Sequence, residues 1–116
     1  MLEPIDEARI AVEAASDKQA NDIILLDMRS NECGFADYFV ICNGESSRQL
    51  QAIAEEIESK LKKVGTKPLH TEGSIGSGWM LLDFGSLIVH IFAPAEREFY
   101  SLEKLWDQAN TVVRIQ

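Results

Sequence analysis

Residues 79–92, WMLLDFGSLIVHIF, constrain this chain more than any other stretch. Two apolar runs flank Gly85-Ser86. A Gly-Ser pair between strand-like runs predicts a two-residue hairpin, because glycine supplies the positive φ that a primed turn needs. That turn sets the register, placing Phe84 opposite Leu87, Asp83 opposite Ile88, Leu82 opposite Val89, Leu81 opposite His90, Met80 opposite Ile91 and Trp79 opposite Phe92. Side chains alternate across a strand, so Met80, Leu82, Phe84, Leu87, Val89 and Ile91 form one apolar set that must face a core. Trp79, Leu81, Asp83, Ile88, His90 and Phe92 form a second, mixed set, in which one carboxylate and one imidazole stand among large apolar groups. A face of that kind is either covered by a helix of the same chain or kept for a partner, and periodicity alone does not choose between them.

Around this hairpin the chain reads as a single α/β domain over residues 1–116, long enough for one core of ordinary size. Pro4, Ile5, Ala8, Val12 and Ala15 predict a short amphipathic helix that ends near residues 17–19. Apolar runs at 23–28 and 38–42 predict two strands that pair with each other. Ser46 and Gln49 have the form of a capping box, and Leu50, Ile53, Ala54, Ile57, Leu61 and Val64 mark one continuous stripe of a second helix. Lysines at its end and Gly65 after it suit a helix C-terminus. Residues 67–72 predict a strand that tolerates Pro68 at its start, residues 73–78 a flexible loop, and Ala93-Pro94 the entry to a third helix with Phe99, Leu102 and Trp106 on one side. The tail from about residue 110 reads as loosely held. The expected architecture is thus a mixed five-stranded sheet with about three helices against it.

Charge narrows the partners. Nineteen acidic against eleven basic residues give a net charge of −8, and such an average field repels a phosphate backbone, so no direct sequence-specific nucleic acid is expected. Residues 72–107 hold six acids (Glu72, Asp83, Glu96, Glu98, Glu103, Asp107) and two bases (Arg97, Lys104), so the half that contains the hairpin attracts a basic protein surface. No run of apolar residues is long enough for a membrane span, and the acidic start MLEPIDEARI is unlike a signal peptide, so the expectation is a cytoplasmic protein with no membrane partner. Cys33 and Cys42 are then expected to be free thiols.

No motif points firmly to catalysis. Gly73, Gly76 and Gly78 lead into a strand rather than the helix N-terminus a phosphate loop needs, and a connector is the better reading. Asp83-Phe84-Gly85 matches the metal-binding tripeptide of protein kinases by chance, since the rest of that fold is missing. The turn Asn43-Gly44-Glu45-Ser46-Ser47 is similar to the glycine-serine turn of nucleotidyltransferases, yet the carboxylates that would hold divalent metal do not follow it. Cys42, His70, Asp83 and His90 lack the close pairing of a zinc motif. The expectation is therefore no enzyme, with no catalytic residue, cofactor or metal. Trp79, Tyr100 and Trp106 with Arg97, Glu98 and Glu103 have instead the composition of an interface hot spot, although Trp106 suits a core position better.

Several segments together resemble the ribosomal silencing factor family, also called RsfS or Iojap. They are residues 36–41 (ADYFVI), Gly44-x-Ser46-Ser47-Arg48-Gln49, Glu72-Gly73, residues 79–85 (WMLLDFG), residues 89–92 (VHIF), and Arg97-x-Phe99-Tyr100-x-Leu102-Glu103-x-Leu105-Trp106. The likeness extends from about Ile5 to Asp107. It implies a nucleotidyltransferase-like fold without the catalytic carboxylates, and a homodimer. It also implies binding to the large ribosomal subunit through ribosomal protein L-fourteen, which sterically blocks joining of the small subunit and represses translation, notably under nutrient limitation. On that resemblance Trp79, Leu81 and Asp83 of the hairpin, with Tyr100, Leu102 and Glu103 of the following helix, are expected to make most of the contact. Glu72, His90 and Arg97 would support them. The alternatives are a nucleotide-binding or nucleotidyltransferase-like enzyme and an adaptor for another basic protein.

Overall fold

A computed structural model describes residues 3–29, 36–95, 97 and 110–115. The elements are α1 (Pro4–Asp17), β1 (Asn21–Asp27), β2 (Tyr38–Asn43), α2 (Ser47–Lys63), β3 (His70–Ser74), a single 3-10 turn (Ile75–Ser77), β4 (Trp79–Asp83), β5 (Leu87–Phe92) and β6 (Asn110–Ile115). The strands form one six-stranded sheet in the order β3-β4-β5-β2-β1-β6. Among the described residues only β2 and β5 pair in parallel; every other neighbouring pair is antiparallel.

Local chemistry sets the helix ends. Pro4 opens α1, where its missing N–H leaves no bond unmade, and the Glu3 N–H donates to the Asp6 carboxylate at 3.1 Å. Ser46 caps α2 by accepting the Gln49 N–H at 3.1 Å. At the other end Gly65, with φ +89°, reverses the chain so that its own N–H reaches the Lys62 carbonyl and the Thr66 N–H reaches that of Leu61. α1 buries alanines, Ala8, Ala11, Ala14 and Ala15, so it lies close against α2. α2 buries the expected stripe of Leu50, Ile53, Ala54, Ile57 and Leu61.

Both helices cover the same side of the sheet. Their apolar residues meet Ile23, Leu25, Tyr38, Val40, Cys42, Leu82, Leu87, Val89 and Ile91 in the main core. The core-facing half of the hairpin is therefore as the turn dictates. Gly85 has φ +90°, the Phe84 N–H donates to the Leu87 carbonyl at 2.8 Å, and the register from Trp79–Phe92 to Asp83–Ile88 is the expected one.

Two expectations for the strands differ from the structure. The third strand runs from His70 to Ser74 rather than from Lys67 to Glu72. Pairing starts only after Pro68, with the Leu69 N–H donating to the Asp83 carbonyl at 2.7 Å, and it continues through Gly73 because a glycine there admits the neighbouring backbone. A Cβ on Gly73 would stand 2.1 Å from the Trp79 carbonyl oxygen. The tail expected to be loose supplies a sixth strand in place of five: Asn110–Ile115 pairs with β1 along the sheet edge, and its Thr-Val-Val-Arg-Ile run is rich in the β-branched residues that fit a pleated surface. Of the third helix expected after Ala93, only Pro94, Ala95 and Arg97 are described, and all three are helical.

Candidate partner-docking face

The side of the sheet away from α1 and α2 holds the mixed set of the hairpin. Cross-strand partners share a face, so the registers arrange this side in rows that run from the outer strand inward. One row is Ser74, Trp79, Phe92 and Asn43; the next is Glu72, Leu81, His90, Ile41 and Ile24; the third is His70, Asp83, Ile88, Phe39 and Leu26. In each row the outer strands are more exposed than the inner ones. β3 is exposed throughout, Trp79, Leu81 and Asp83 are half-buried, and Phe92, His90, Ile41, Phe39, Ile24 and Leu26 are buried. This side therefore closes over its inner strands into a second apolar cluster of Ile24, Leu26, Met28, Phe39, Ile41 and Phe92, and opens at the β3–β4 margin.

Trp79 stands on the boundary. Its ring packs at the rim of the second cluster, and its Nε1–H donates to Nδ1 of His90 at 3.4 Å. An imidazole that accepts at Nδ1 keeps its own proton on Nε2 and is neutral. Burial holds it so: the His90 ring lies 5.4 Å from that of Phe39 and stacks 6.0 Å from Phe92, and desolvation pushes its pKa down to about 4. Asp83 is engaged at the tip, where its Oδ1 accepts the Gly85 N–H at 2.8 Å and so stabilises the turn that sets the register. Glu72 is exposed and pairs with Nε2 of His70 at 2.9 Å, a contact open to solvent and of small energetic worth.

The structure thus gathers four of the expected contact residues, Glu72, Trp79, Leu81 and Asp83, on one open margin. It places two others inside. His90 is a buried neighbour of Trp79, so its support is to hold the indole rather than to touch a partner. Arg97 is also buried, with its Nη1 donating to the Asp22 carbonyl and to Oδ1 of Asn43, which ties the segment after β5 to the ends of β1 and β2. Tyr100, Leu102 and Glu103 lie outside the described residues. His70 belongs to the open margin and was missed. Its signal was available in the register, since a strand that places Glu72 opposite Leu81 places His70 opposite Asp83.

The turn that is similar to a nucleotide-binding one is occupied by the chain itself. The Glu45 N–H donates to Oε1 of Gln49 at 2.8 Å, and the Gln49 and Leu50 N–H groups go to Ser46. Nε2 of Gln49 reaches back to the carbonyls of Lys18 and Gln19, so this side chain joins the end of α1 to the start of α2. Gly44 packs closely under α2: a Cβ there would stand 3.1 Å from the Leu50 side chain and 3.2 Å from that of Ile53. Cys42 is buried in the main core, and its thiol is pushed up to about 12.

Comparison with known proteins adds the family context. Residues 2–116 match the family profile described as "Ribosomal silencing factor during starvation". The chain is 45% identical over 101 residues to the ribosomal silencing factor RsfS of Bacillus subtilis, covering 87% of this chain and 85% of that one. It is 37% identical over 92 residues to the mouse protein named mitochondrial assembly of ribosomal large subunit protein 1, covering 77% of this chain and 40% of that one. A solved structure from Chromobacterium violaceum superposes with a TM-score of 0.86 at 32% identity, covering 97% of this chain and 94% of that chain.

Proposed function

The chain belongs to the RsfS family of ribosomal silencing factors, and from that premise we propose that it binds the large ribosomal subunit through ribosomal protein L-fourteen and sterically blocks joining of the small subunit. In this reading the protein is a cytoplasmic, homodimeric translational repressor that acts notably when nutrients are limited. Steric exclusion needs only a tight footprint, so no catalytic group or cofactor takes part. The observation that carries the proposal is the graded face: a half-buried row of Trp79, Leu81 and Asp83 with exposed Glu72 beside it. An indole already packed at the edge of a cluster loses little entropy on docking, Leu81 adds apolar area beside it, and the carboxylates give the register against a basic protein.

Two variants and a control test this. Leu81→Ala removes apolar contact from the centre of the margin, and Glu72→Lys reverses an exposed charge without touching the core. Each should weaken co-sedimentation with purified large subunits while leaving the melting temperature near that of the parent chain. A Glu13→Gln control on α1, which packs against the other side of the sheet, should bind like the parent chain. Unchanged co-sedimentation of both margin variants would remove this face from the account. No observation favours the nucleotide-binding alternative over this one, and the Glu45 and Gln49 amides at the start of α2 are already bonded to Gln49 and Ser46.

A further inference from the structure

Residues 59–69 hold four lysines, Lys60, Lys62, Lys63 and Lys67, and no acid, in a chain of net charge −8. Lys60 is used within the fold. Its ammonium pairs with Asp17 and lies 3.8 Å from Glu13 and 3.9 Å from Glu56, which joins α2 to α1. Lys62, Lys63 and Lys67 are exposed and form no ion pair among the described residues. The negative end of α2 accounts for cations in its last turn. It does not account for Lys67, which lies beyond the helix in the loop to β3.

Lys62 and Lys67 line one open groove with Ser59 and Pro68, of about 560 Å³. Its acids, Glu55 and Glu58, stand one to two turns earlier along α2, so the cationic end is the one beside Lys63 and the loop. No aromatic ring lines the groove. Leu69, next in the loop, is 76% exposed, and its N–H donates to the Asp83 carbonyl. The loop that carries Lys67 therefore borders the Asp83 end of the docking margin.

We infer that Lys62, Lys63 and Lys67 hold the phosphate backbone of RNA lying next to the protein surface that the β3–β4 margin covers. The inference rests on the ribosomal reading above and adds a second, chemically opposite half to the footprint. Three unpaired ammonium groups would be repelled by the basic protein that the acidic margin suits, and are attracted to phosphate. A large subunit presents both chemistries side by side. With no ring to stack on bases, the contact is independent of RNA sequence and serves to fix orientation.

The test is the salt dependence of binding of the full chain to purified large subunits, for the parent, for the triple variant Lys62→Gln/Lys63→Gln/Lys67→Gln, and for the corresponding triple arginine variant. Each phosphate neutralised contributes about 0.7 to 0.9 to the slope of log affinity against log salt, so the glutamine variant should lose about 2 from that slope and bind about tenfold or more weakly at low salt. The arginine variant should retain both. Binding to isolated ribosomal protein L-fourteen should be the same for all three chains. An unchanged slope for the glutamine variant overturns the inference, as does an equal loss on the isolated protein, which would make the patch part of the protein contact. A parent chain that fails to bind subunits at all overturns the ribosomal reading and this one with it, and is recognised because no variant is then needed to see it.

Discussion

His90 shows how one residue can matter to the docking face without lying on it. Its imidazole is neutral because it is buried between Phe39 and Phe92, and in that state it accepts the Trp79 Nε1–H. The folded pKa of about 4 lies below the ordinary 6.5, so as pH falls the unfolded chain takes up this proton before the folded one does. The contribution is therefore complete above about pH 6.5 and is lost progressively toward pH 4, by up to about 3 kcal/mol. Urea titrations at pH 7 and pH 4.5 should show a steeper loss for the parent chain than for His90→Phe, which fills the same space and does not titrate. Parallel losses would show that other groups set the acid limit. At Cys42 the buried, protonated thiol should resist alkylation in the folded protein and react only in denaturant, as mass spectrometry after iodoacetamide treatment would reveal.

Among the elements, the β3–β4 pair is the one whose geometry the proposal needs. Gly73 combines φ +84° with a backbone approach that leaves no room for a side chain. Gly73→Ala should therefore cost more than about 2 kcal/mol or detach β3 locally, moving Glu72 and His70 away from Leu81 and Asp83. Denaturant midpoints and amide exchange along β4 would distinguish the two. At α2, Ser46→Ala should cost about 1 kcal/mol through loss of the cap. These elements also show what the sequence makes legible. The hairpin register follows from two residues, Gly85 and Ser86, and α2 from one stripe with a cap at each end, because those signals are local. The bounds of β3 are not legible locally, because HTEGS has no apolar alternation and its glycine reads as a loop residue without the β4 backbone beside it. The sixth strand escaped for a related reason: an edge strand needs only a neighbour with open hydrogen bonds, and its pairing with β1 is long-range. The face itself was legible as a composition, a mixed set on one side of a hairpin, but not as a gradient. That β1 and β2 lie on the inner side of β5, so that the face is closed at His90 and open at Trp79, depends on strand order, which no local pattern carries.

For the whole molecule, two surfaces of opposite charge meet near the Asp83 end of the hairpin, an acidic margin with an indole and a leucine, and the end of α2 with its following loop, whose Lys62, Lys63 and Lys67 form no ion pair among the described residues. A body of this size seated by both would occlude a partner without any chemistry. Addition of ATP with magnesium should accordingly leave the melting temperature unchanged, whereas large subunits should protect Leu81 and Glu72 from labelling when cysteine is placed there. The most direct measurement is subunit joining itself, followed by light scattering or sucrose gradients, with purified small and large subunits and increasing amounts of the protein. The parent chain should lower the joined fraction in proportion to its occupancy of the large subunit, and Leu81→Ala combined with Glu72→Lys should leave joining nearly as it is without any factor. A joined fraction that the parent chain does not lower, or that the margin variant lowers equally well, would contradict the account.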